Sequence, residues 1–314
     1  MKTNFLRNKK IWVAGHNGMV GSAICKKLRE NKINYLKVRR NSLNLTRQAE
    51  VEKWVYSNKP DIIFLAAAKV GGILANEKFP AEFITNNIQI QTNIITSAFK
   101  NNVKKLIFLG SACIYPISRN AIKESDLLTG KLESTNRAYS IAKIAGIEMC
   151  KFYKQQYDVN YISVQPNNLY GPNDNFSENS GHVIPSLIKK ILSAKINKKP
   201  YCEILGTGKP KREFVYVDDL AEAILVVAEK YDKIDPINIG SGEEVTIKQL
   251  ALLIRRIINY DGRIVFNSDF PDGVPKKFLD SSNIHRLGWK PKTKLMDGIS
   301  FVYKWFLKNK CLKK

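Results

Sequence analysis

Cysteine and histidine are scarce in this chain, which has five of the former and three of the latter among 314 residues. The cysteines are odd in number, widely spaced and contain no C-x-x-C pair, so they predict neither a disulfide framework nor a zinc site. We therefore expect no bound metal, and a reducing, cytoplasmic compartment.

Long hydrophobic runs are also missing. The most apolar segment, residues 62–68, is too short to span a bilayer. The apolar stretch behind the first basic residues is too short for a signal peptide. We therefore expect no membrane partner.

Acidic residues are outnumbered, since 51 Lys+Arg against 28 Asp+Glu give a formal charge of +23. Such a charge raises the question of a nucleic-acid partner. The lysines are scattered along the chain, however, with no basic arm, zinc-finger spacing or RNA-binding sheet motif. We expect no nucleic-acid partner, and a positive surface that can attract an anionic, nucleotide-linked substrate. Nucleic-acid binding remains open as the least favoured of the alternative functions.

A glycine-rich turn follows the first apolar run. Glycines 15, 18 and 21 have the spacing G-x-x-G-x-x-G and lie between a strand-like and a helix-like pattern. Glycines at such positions make the turn, admit a pyrophosphate and let helix and strand pack closely. The helix N-terminus then offers N–H groups to the phosphates. This pattern predicts a dinucleotide site.

Arg39 and Arg40 end the next apolar run, where an NAD site usually supplies a carboxylate for the ribose. A guanidinium group matches a phosphate instead, which favours NADP(H). The alternative is that both arginines are simply part of a basic surface.

Tyr139 and Lys143 are four residues apart in a helical pattern, with Ser111 in a Gly-Ser-Ala-Cys element upstream. Residues at this spacing share a helix face, so we expect the Lys143 ammonium to lower the pKa of the Tyr139 phenol. Such a phenol can give a proton to a developing alkoxide. Together with the glycine turn, these residues predict nicotinamide-dependent redox chemistry at a carbonyl or alcohol.

Short apolar strands alternate with amphipathic helices in the first half, which predicts an α/β fold with a doubly wound parallel sheet of the Rossmann type. Residues 1–165 are expected to bind the dinucleotide, and 166–314 to form a smaller substrate-binding region with some segments returning to the sheet. The last two predicted helices are long, and their apolar faces could pack against a second copy or within one chain. Predicted strands cover 10–14, 34–38, 61–66, 105–110 and 161–165, and predicted helices cover 21–31, 46–58, 79–101 and 137–157.

With these motifs in place, the chain resembles the extended short-chain dehydrogenase/reductases that act on nucleotide sugars. More closely, it is similar to the GDP-L-fucose synthase family. The resemblance covers nearly the whole chain and rests on motifs in order at residues 15–21, 65–72, 110–116, 139–146, 168–172 and 181–185.

That resemblance implies an enzyme that uses NADPH to convert GDP-4-keto-6-deoxy-D-mannose to GDP-L-fucose. The C3 and C5 centres are epimerised first, because the 4-keto group acidifies their C–H bonds, and the C4 ketone is then reduced. By resemblance, Cys113 is the base, His182 is the acid, and Ser111, Tyr139 and Lys143 carry out the reduction. A thiol and an imidazole both titrate close enough to neutrality for such roles.

The same resemblance implies the binding residues. The substrate contacts are Asn168, Lys190, Leu205, Arg212 and Asp272. Lys190, Leu205 and Asn17 stand where the family often has arginine, tryptophan and arginine. The implied cofactor contacts are Gly15, His16, Asn17, Gly18, Met19, Val20, Gly21, Arg40, Asn44, Leu45, Ala67, Leu109, Lys143, Pro166, Asn168, Leu169 and His182.

Other functions remain open. The same scaffold could act on another GDP-sugar, such as a 6-deoxy-4-keto-heptose, with or without epimerisation. A binding or regulatory protein could also retain the cofactor fold without catalysis. By resemblance we expect a homodimer formed through the helices at 79–101 and 137–157.

Overall fold

The structure is a computed structural model that describes residues 5–118, 120–177, 181–270 and 272–311. Its centre is a six-stranded parallel sheet with the strand order β2-β1-β3-β4-β5-β9. Two of its central strands, Ile11–Ala14 and Ile62–Leu65, are apolar and buried at every position, as expected for a parallel sheet covered on both faces. The strands are β1 Ile11–Ala14, β2 Tyr35–Leu36, β3 Ile62–Leu65, β4 Lys105–Leu109, β5 Asn160–Pro166, β6 Asn168–Tyr170, β7 Tyr201–Leu205, β8 Lys211–Tyr216, β9 Ile237–Ile239, β10 Glu244–Thr246, β11 Arg263–Asn267 and β12 Lys276–Lys277.

Helices cover both faces of this sheet. One core lies beneath α1 and α7, and a second lies beneath α2, α4 and α5. The α-helices are α1 Met19–Glu30, α2 Gln48–Asn58, α3 Ile73–Lys78, α4 Pro80–Lys100, α5 Arg137–Tyr157, α6 Val183–Ile196, α7 Val217–Lys230, α8 Ile247–Ile258, α9 Ser282–Arg286 and α10 Leu295–Phe306.

The strand order reverses between β1 and β3, because the chain first moves outward to β2 and then returns to build β3, β4 and β5. At such a reversal a crevice opens beyond the carboxyl ends of the strands. Ligands of doubly wound sheets bind in that crevice.

The later part of the chain builds a second layer beside the crevice. Strand β8 pairs with β6, β10 and β12, while β7 and β11 form a separate parallel pair. A third core lies under α6, α8 and α10. Strand β9 leaves this region and joins the central sheet beside β5.

The predicted fold class is confirmed. All five predicted strands and all four predicted helices occur, although β2 pairs over Tyr35–Leu36 only. The short helix α3 and the elements after Pro166 were not predicted in detail, since that sequence lacks a clear period. No helix in the described part of the chain is long and apolar enough to cross a membrane.

The long helices α4 and α5 pack against each other, and Gln91 Nε2 donates to the Ala142 carbonyl oxygen at 2.6 Å. Burial within the chain therefore explains part of their apolar surface. Ile88, Ile141 and Phe152 nevertheless stay exposed by 37%, 38% and 54%.

Candidate active site

The glycine-rich turn connects β1 to α1 and forms a tight backbone cradle. Gly15 has a φ of +91°, and a Cβ there would lie 2.7 Å from the backbone nitrogen of Ala67. A Cβ at Gly21 would lie 2.1 Å from the Gly15 carbonyl oxygen, so the close approach of helix and turn requires glycine. Helix α1 begins at Met19 without an acidic residue in its first turn. The cradle therefore fits a pyrophosphate at the positive end of the helix.

The surroundings of the turn are positively charged. Partial burial lowers the pKa of His16, and the charges of Lys37 and Arg39 lower it further. Arg40 is exposed in the turn beyond β2. This electrostatic environment suits an additional phosphate.

The other residues expected to bind cofactor also lie at this edge of the sheet or close to it. Leu109 ends β4, Pro166 ends β5, and Asn168 and Leu169 lie in β6. Ala67 follows β3. Their common position at the carboxyl ends of the strands matches the crevice defined by the strand order.

Asn44 and Leu45 lie between β2 and α2. The Asn44 N–H donates to Glu50 Oε2 at 2.9 Å, and the Leu45 carbonyl oxygen accepts from Asn93 Nδ2 at 3.0 Å. These bonds tie the segment after Arg40 to helices α2 and α4.

Lys143 is buried in the first half of α5. Its Nζ donates to the Leu109 carbonyl oxygen at 2.6 Å and lies 4.7 Å from the ring centroid of Phe108 and 5.8 Å from that of Tyr139. Burial lowers the pKa of Lys143 to about 7.

The pKa of Tyr139 is raised, and the predicted lowering by Lys143 is therefore wrong. Burial raises this pKa most, the charge of a Cys113 thiolate adds to the effect, and a hydrogen bond with the Ser111 side chain opposes it. Sequence spacing placed Lys143 on the correct helix face. It could not show that burial would disfavour both charged forms.

Ser111 and Cys113 belong to a 3₁₀ turn that follows β4. Ser111 Oγ accepts the Cys113 N–H at 3.2 Å, and the Ser140 Oγ donates to the Cys113 carbonyl oxygen at 2.8 Å. The second bond fixes this turn against α5. The turn thereby brings Ser111, Cys113, Tyr139 and Lys143 into one site.

Gln165 supports the same turn and was not predicted. It is fully buried at the end of β5, and its Oε1 accepts the Ser111 N–H at 3.0 Å. A Cβ at Gly110 would lie 1.8 Å from this oxygen, so glycine at position 110 makes room for the Gln165 amide. An amide side chain near the end of a buried strand was the available signal.

His182 precedes the first residue of α6, at its N-cap position. Its Nδ1 lies 3.0 Å from Asp174 Oδ1. Partial burial lowers the pKa of His182, but the hydrogen bond and charge of Asp174 raise it more, so the net pKa lies above its ordinary value. Asp174 was not predicted from the sequence.

Arg212 lies on β8 at the edge of the site. Burial lowers its pKa, while the charges of Glu133, Cys113 and Asp272 raise it, which places Arg212 within their electrostatic reach. Its Nη1 donates to the carbonyl oxygens of Lys211 at 2.8 Å and Val274 at 2.7 Å.

The remaining expected substrate residues differ in their surroundings. Asp272 accepts from the Thr207 N–H at 2.9 Å and from Thr207 Oγ1 at 2.5 Å, so its carboxylate also fixes the turn after β7. Lys190 is half-buried on α6. Leu205 ends β7 and is 52% exposed.

A further ion pair, which sequence analysis missed, lies beside Arg212. Lys277 is the register partner of Arg212 across β12 and β8, and its Nζ lies 3.2 Å from Glu133 Oε2. Both side chains are mostly buried, at 12% and 13% exposed. Nothing in the local sequence pattern distinguished these residues from the many surface charges.

The chain is similar to proteins of one family over most of its length. Residues 11–240 match the family described as the NAD dependent epimerase/dehydratase family. GDP-L-fucose synthase 1 of Arabidopsis thaliana is 50% identical, over 97% of this chain and 95% of that protein.

Solved structures agree with this similarity. A GDP-6-OMe-4-keto-L-xylo-heptose reductase from C. jejuni has a TM-score of 0.90 at 36% identity, over 98% of this chain and 99% of that one. A GDP-L-fucose synthetase from Naegleria fowleri bound to NADP has a TM-score of 0.89 at 28% identity, over 96% of this chain and 95% of that one. The chain therefore belongs to the NAD dependent epimerase/dehydratase family, in its GDP-L-fucose synthase branch.

Proposed function

We propose that this protein is an NADP(H)-dependent enzyme that converts GDP-4-keto-6-deoxy-D-mannose to GDP-L-fucose by epimerisation at C3 and C5 followed by reduction at C4. The observation that carries the proposal is the cluster of Ser111, Cys113, Tyr139 and Lys143, at the same edge of the sheet as the glycine cradle. The similarity to GDP-L-fucose synthases over nearly the whole chain supports the same activity. A cofactor-binding protein without catalysis would have no need to retain this cluster.

Tyr139 and Ser111 carry out the protonation that completes the reduction. NADPH, when bound, supplies hydride to the C4 carbonyl carbon. As the carbonyl oxygen gains negative charge, the Tyr139 hydroxyl donates its proton to it, and the Ser111 hydroxyl stabilises the same oxygen. Lys143, held by Leu109, provides positive charge when it is protonated.

Cys113 and His182 carry out the epimerisation. The Cys113 thiolate removes the proton from C3 or C5, and the electron pair moves into an enolate stabilised by the C4 carbonyl. His182 then donates a proton to the opposite face of the same carbon. The hydrogen bond that the His182 Nδ1–H donates to Asp174 favours the protonated ring and supports the role of the imidazole as an acid.

The cofactor residues are those around the cradle. The turn from Gly15 to Gly21 holds the pyrophosphate, and Arg40 contacts the phosphate on the ribose. Ala67, Leu109, Pro166 and Leu169, at the carboxyl ends of the strands, would hold the cofactor together with Asn44 and Leu45, which lie between β2 and α2. Residues 1–165 supply most of these contacts.

The substrate residues come from residues 166–314. Arg212 and Lys190 neutralise the diphosphate, and a lysine can do so as a point charge. Asn168, Asp272 and Leu205 contact the sugar or the base. The partial burial of Arg212 beside Cys113 supports this position, because a phosphate there lies next to the reacting groups.

A second substrate is supported by a specific likeness. The C. jejuni protein named above is a GDP-6-OMe-4-keto-L-xylo-heptose reductase. Lys190 and Leu205 are also two of the positions where this chain departs from the GDP-L-fucose synthase pattern, and both belong to the expected substrate contacts. The alternative function is therefore reduction, with or without epimerisation, of a GDP-6-deoxy-4-keto-heptose.

We further propose a cytoplasmic homodimer. Ile88, Ile141 and Phe152 are exposed on α4 and α5, and pairing these helices with those of a second copy would bury them. The free thiols of Cys25, Cys113 and Cys150 suit a reducing compartment. Sedimentation measures the oligomeric state of the wild type and of Phe152→Glu. A monomeric wild type contradicts the proposed homodimer.

The proposed reaction is tested in deuterated water with NADPH and GDP-4-keto-6-deoxy-D-mannose. Absorbance follows oxidation of the cofactor, and NMR identifies the product. We expect GDP-L-fucose with deuterium at C3 and C5. Reduction without deuterium would contradict epimerisation, and faster turnover of the heptose analogue would favour the alternative substrate.

Cys113→Ser separates the two half-reactions. We expect this variant to lose deuterium incorporation at C3 and C5 while it binds NADPH like the wild type. The matched control is Cys25→Ala, which removes a buried thiol of α1. Normal exchange in Cys113→Ser would remove the thiol from the mechanism.

A further inference from the structure

Asp174 and His182 form an unequal pair in which the carboxylate is hidden and the imidazole is accessible. The side chain of Asp174 is 4% exposed and that of His182 is 41% exposed. The 3.0 Å contact joins Asp174 Oδ1 to the Nδ1 of His182. Because the carboxylate occupies Nδ1, any proton exchanged with a substrate passes through Nε2.

The loop backbone holds these residues together. The Gly181 N–H donates to the Ser177 carbonyl oxygen at 2.9 Å, and a Cβ at Gly181 would lie 2.4 Å from the carbonyl oxygens of Asn175 and Ser177. Asp174 Oδ1 also accepts the Asn175 N–H at 2.7 Å. The pair is thus set by the backbone on both sides of the loop.

The electrostatics of the pair are opposed to those of the helix. His182 lies at the N-terminus of α6, whose partial positive charge disfavours a protonated imidazole. Among the described residues, Asp174 is the charged group that acts on His182, and it favours protonation. Asp174 Oδ2 is buried without a hydrogen-bond partner among the described residues. Among the described residues, a protonated His182 is therefore the group that would compensate the charge of the Asp174 carboxylate.

We propose that Asp174 is a positioning residue that holds the proton of His182 on Nδ1 and thereby makes Nε2–H the proton donor of the epimerisation. In the step, the Nε2–H bond breaks, the proton bonds to the enolate carbon, and the ring becomes neutral with Nδ1–H still donated to Asp174. The solvent then returns a proton to Nε2 and takes up the proton that Cys113 acquired, so no net proton is consumed. The identity of the proton acceptor, an enolate carbon of the sugar, rests on the proposed function. The pairing of Asp174 with His182 is independent of that function.

Asp174→Asn is the decisive variant. The amide oxygen can still accept from Asn175 and from His182, so the loop is retained while the negative charge is lost. The control is Asp126→Asn, which changes a carboxylate at the end of a 3₁₀ turn that likewise accepts a backbone N–H, from Lys123 at 2.9 Å. The three histidines make the imidazole NMR spectrum simple, and His182→Gln assigns the signal.

Two measurements test the proposal. First, NMR titration should give a His182 midpoint lower by about one pH unit in Asp174→Asn than in wild type or Asp126→Asn. An unchanged midpoint overturns the proposal. This measurement needs no substrate, so it stands even if the wild type turns over no GDP-sugar, an outcome that would overturn only the proposed function.

The second measurement is the pH profile of deuterium exchange at C3 and C5. An acid acts in its protonated form, so the rate falls as pH rises through its pKa. In Asp174→Asn this basic limb should move to lower pH by the shift found by NMR. A purely structural effect of Asp174→Asn would lower the exchange rate equally at all pH values and leave the basic limb where it is. If the NMR midpoint of His182 moves and the basic limb does not, the positioning role is therefore overturned.

Discussion

The amide oxygen of Gln165 holds the backbone N–H of Ser111 at 3.0 Å, and Gly110 leaves the space that this contact needs. The end of β5 thereby sets the position of the serine at the end of β4. Since Gln165 is fully buried, no water can replace it as an acceptor.

Gln165→Leu should therefore lower kcat by about tenfold, because an unpaired Ser111 N–H displaces the hydroxyl from the reacting oxygen. The dissociation constant for NADPH, measured by fluorescence, should stay within about twofold. Gln156→Leu is the control, since it changes an exposed glutamine on α5. A variant Gln165→Leu with wild-type kcat would contradict the support role.

Tyr139→Phe should suppress reduction at C4 by about 10²- to 10⁴-fold, because the proton donor is lost. Deuterium exchange at C3 and C5 should continue, since Cys113 and His182 are unchanged. NADPH absorbance and NMR of the sugar measure the two effects in one sample. Tyr157→Phe, which alters an exposed ring at the end of α5, should behave like wild type; full reduction by Tyr139→Phe would exclude this tyrosine as donor.

Arg40→Ala should raise the KM for NADPH by about 10- to 100-fold and leave the KM for NADH nearly unchanged, because only NADPH carries the additional phosphate. Steady-state kinetics with both cofactors measures this. Arg7→Ala removes an exposed positive charge before β1 and should change neither value. Equal effects of both substitutions would mean that Arg40 is only part of the basic surface.

Lys105 predicts a pH dependence of stability. It is 4% exposed, its Nζ donates to the Tyr231 carbonyl oxygen at 2.9 Å, and burial lowers its pKa from 10.5 to about 8. Between these pH values the unfolded chain holds a proton that the folded protein lacks. The free energy of unfolding therefore rises as pH increases from about 8 to 10.5. This gain in stability is lost again as pH falls to about 8.

Lys105→Met should remove that slope. The urea midpoint of the wild type should rise relative to that of Lys105→Met between pH 8 and 9.5, within the window set by the lowered pKa. Lys104→Met, which replaces the exposed neighbour, should follow the wild type. A constant difference between wild type and Lys105→Met would refute the assignment.

Sequence alone predicted the sheet and the elements of the site that carry strong local signals. Glycine spacing identified the cradle, and the i,i+4 relation placed Tyr139 and Lys143 on one face. These predictions succeeded because the backbone geometry of a strand, turn or helix is written in neighbouring residues.

The interactions that sequence could not provide join distant segments. Gln165 on β5 accepts a hydrogen bond from Ser111, which follows β4, and Lys277 on β12 forms an ion pair with Glu133. The direction of the Tyr139 pKa also failed, because it depends on burial by the whole fold rather than on one neighbour. The sequence pattern indicates where candidate reactive groups lie in local elements, but not which distant groups hold them in place.

Strand β9 has a consequence for biosynthesis. It covers the edge of β5, yet it is made only after α6, β7, β8 and α7 have been added. A nascent chain that ends before Ile237 carries an apolar, unpaired strand edge, which is a site for mispairing with other chains. We expect truncations before residue 237 to aggregate, and the full chain to gain protection at β5 late in folding.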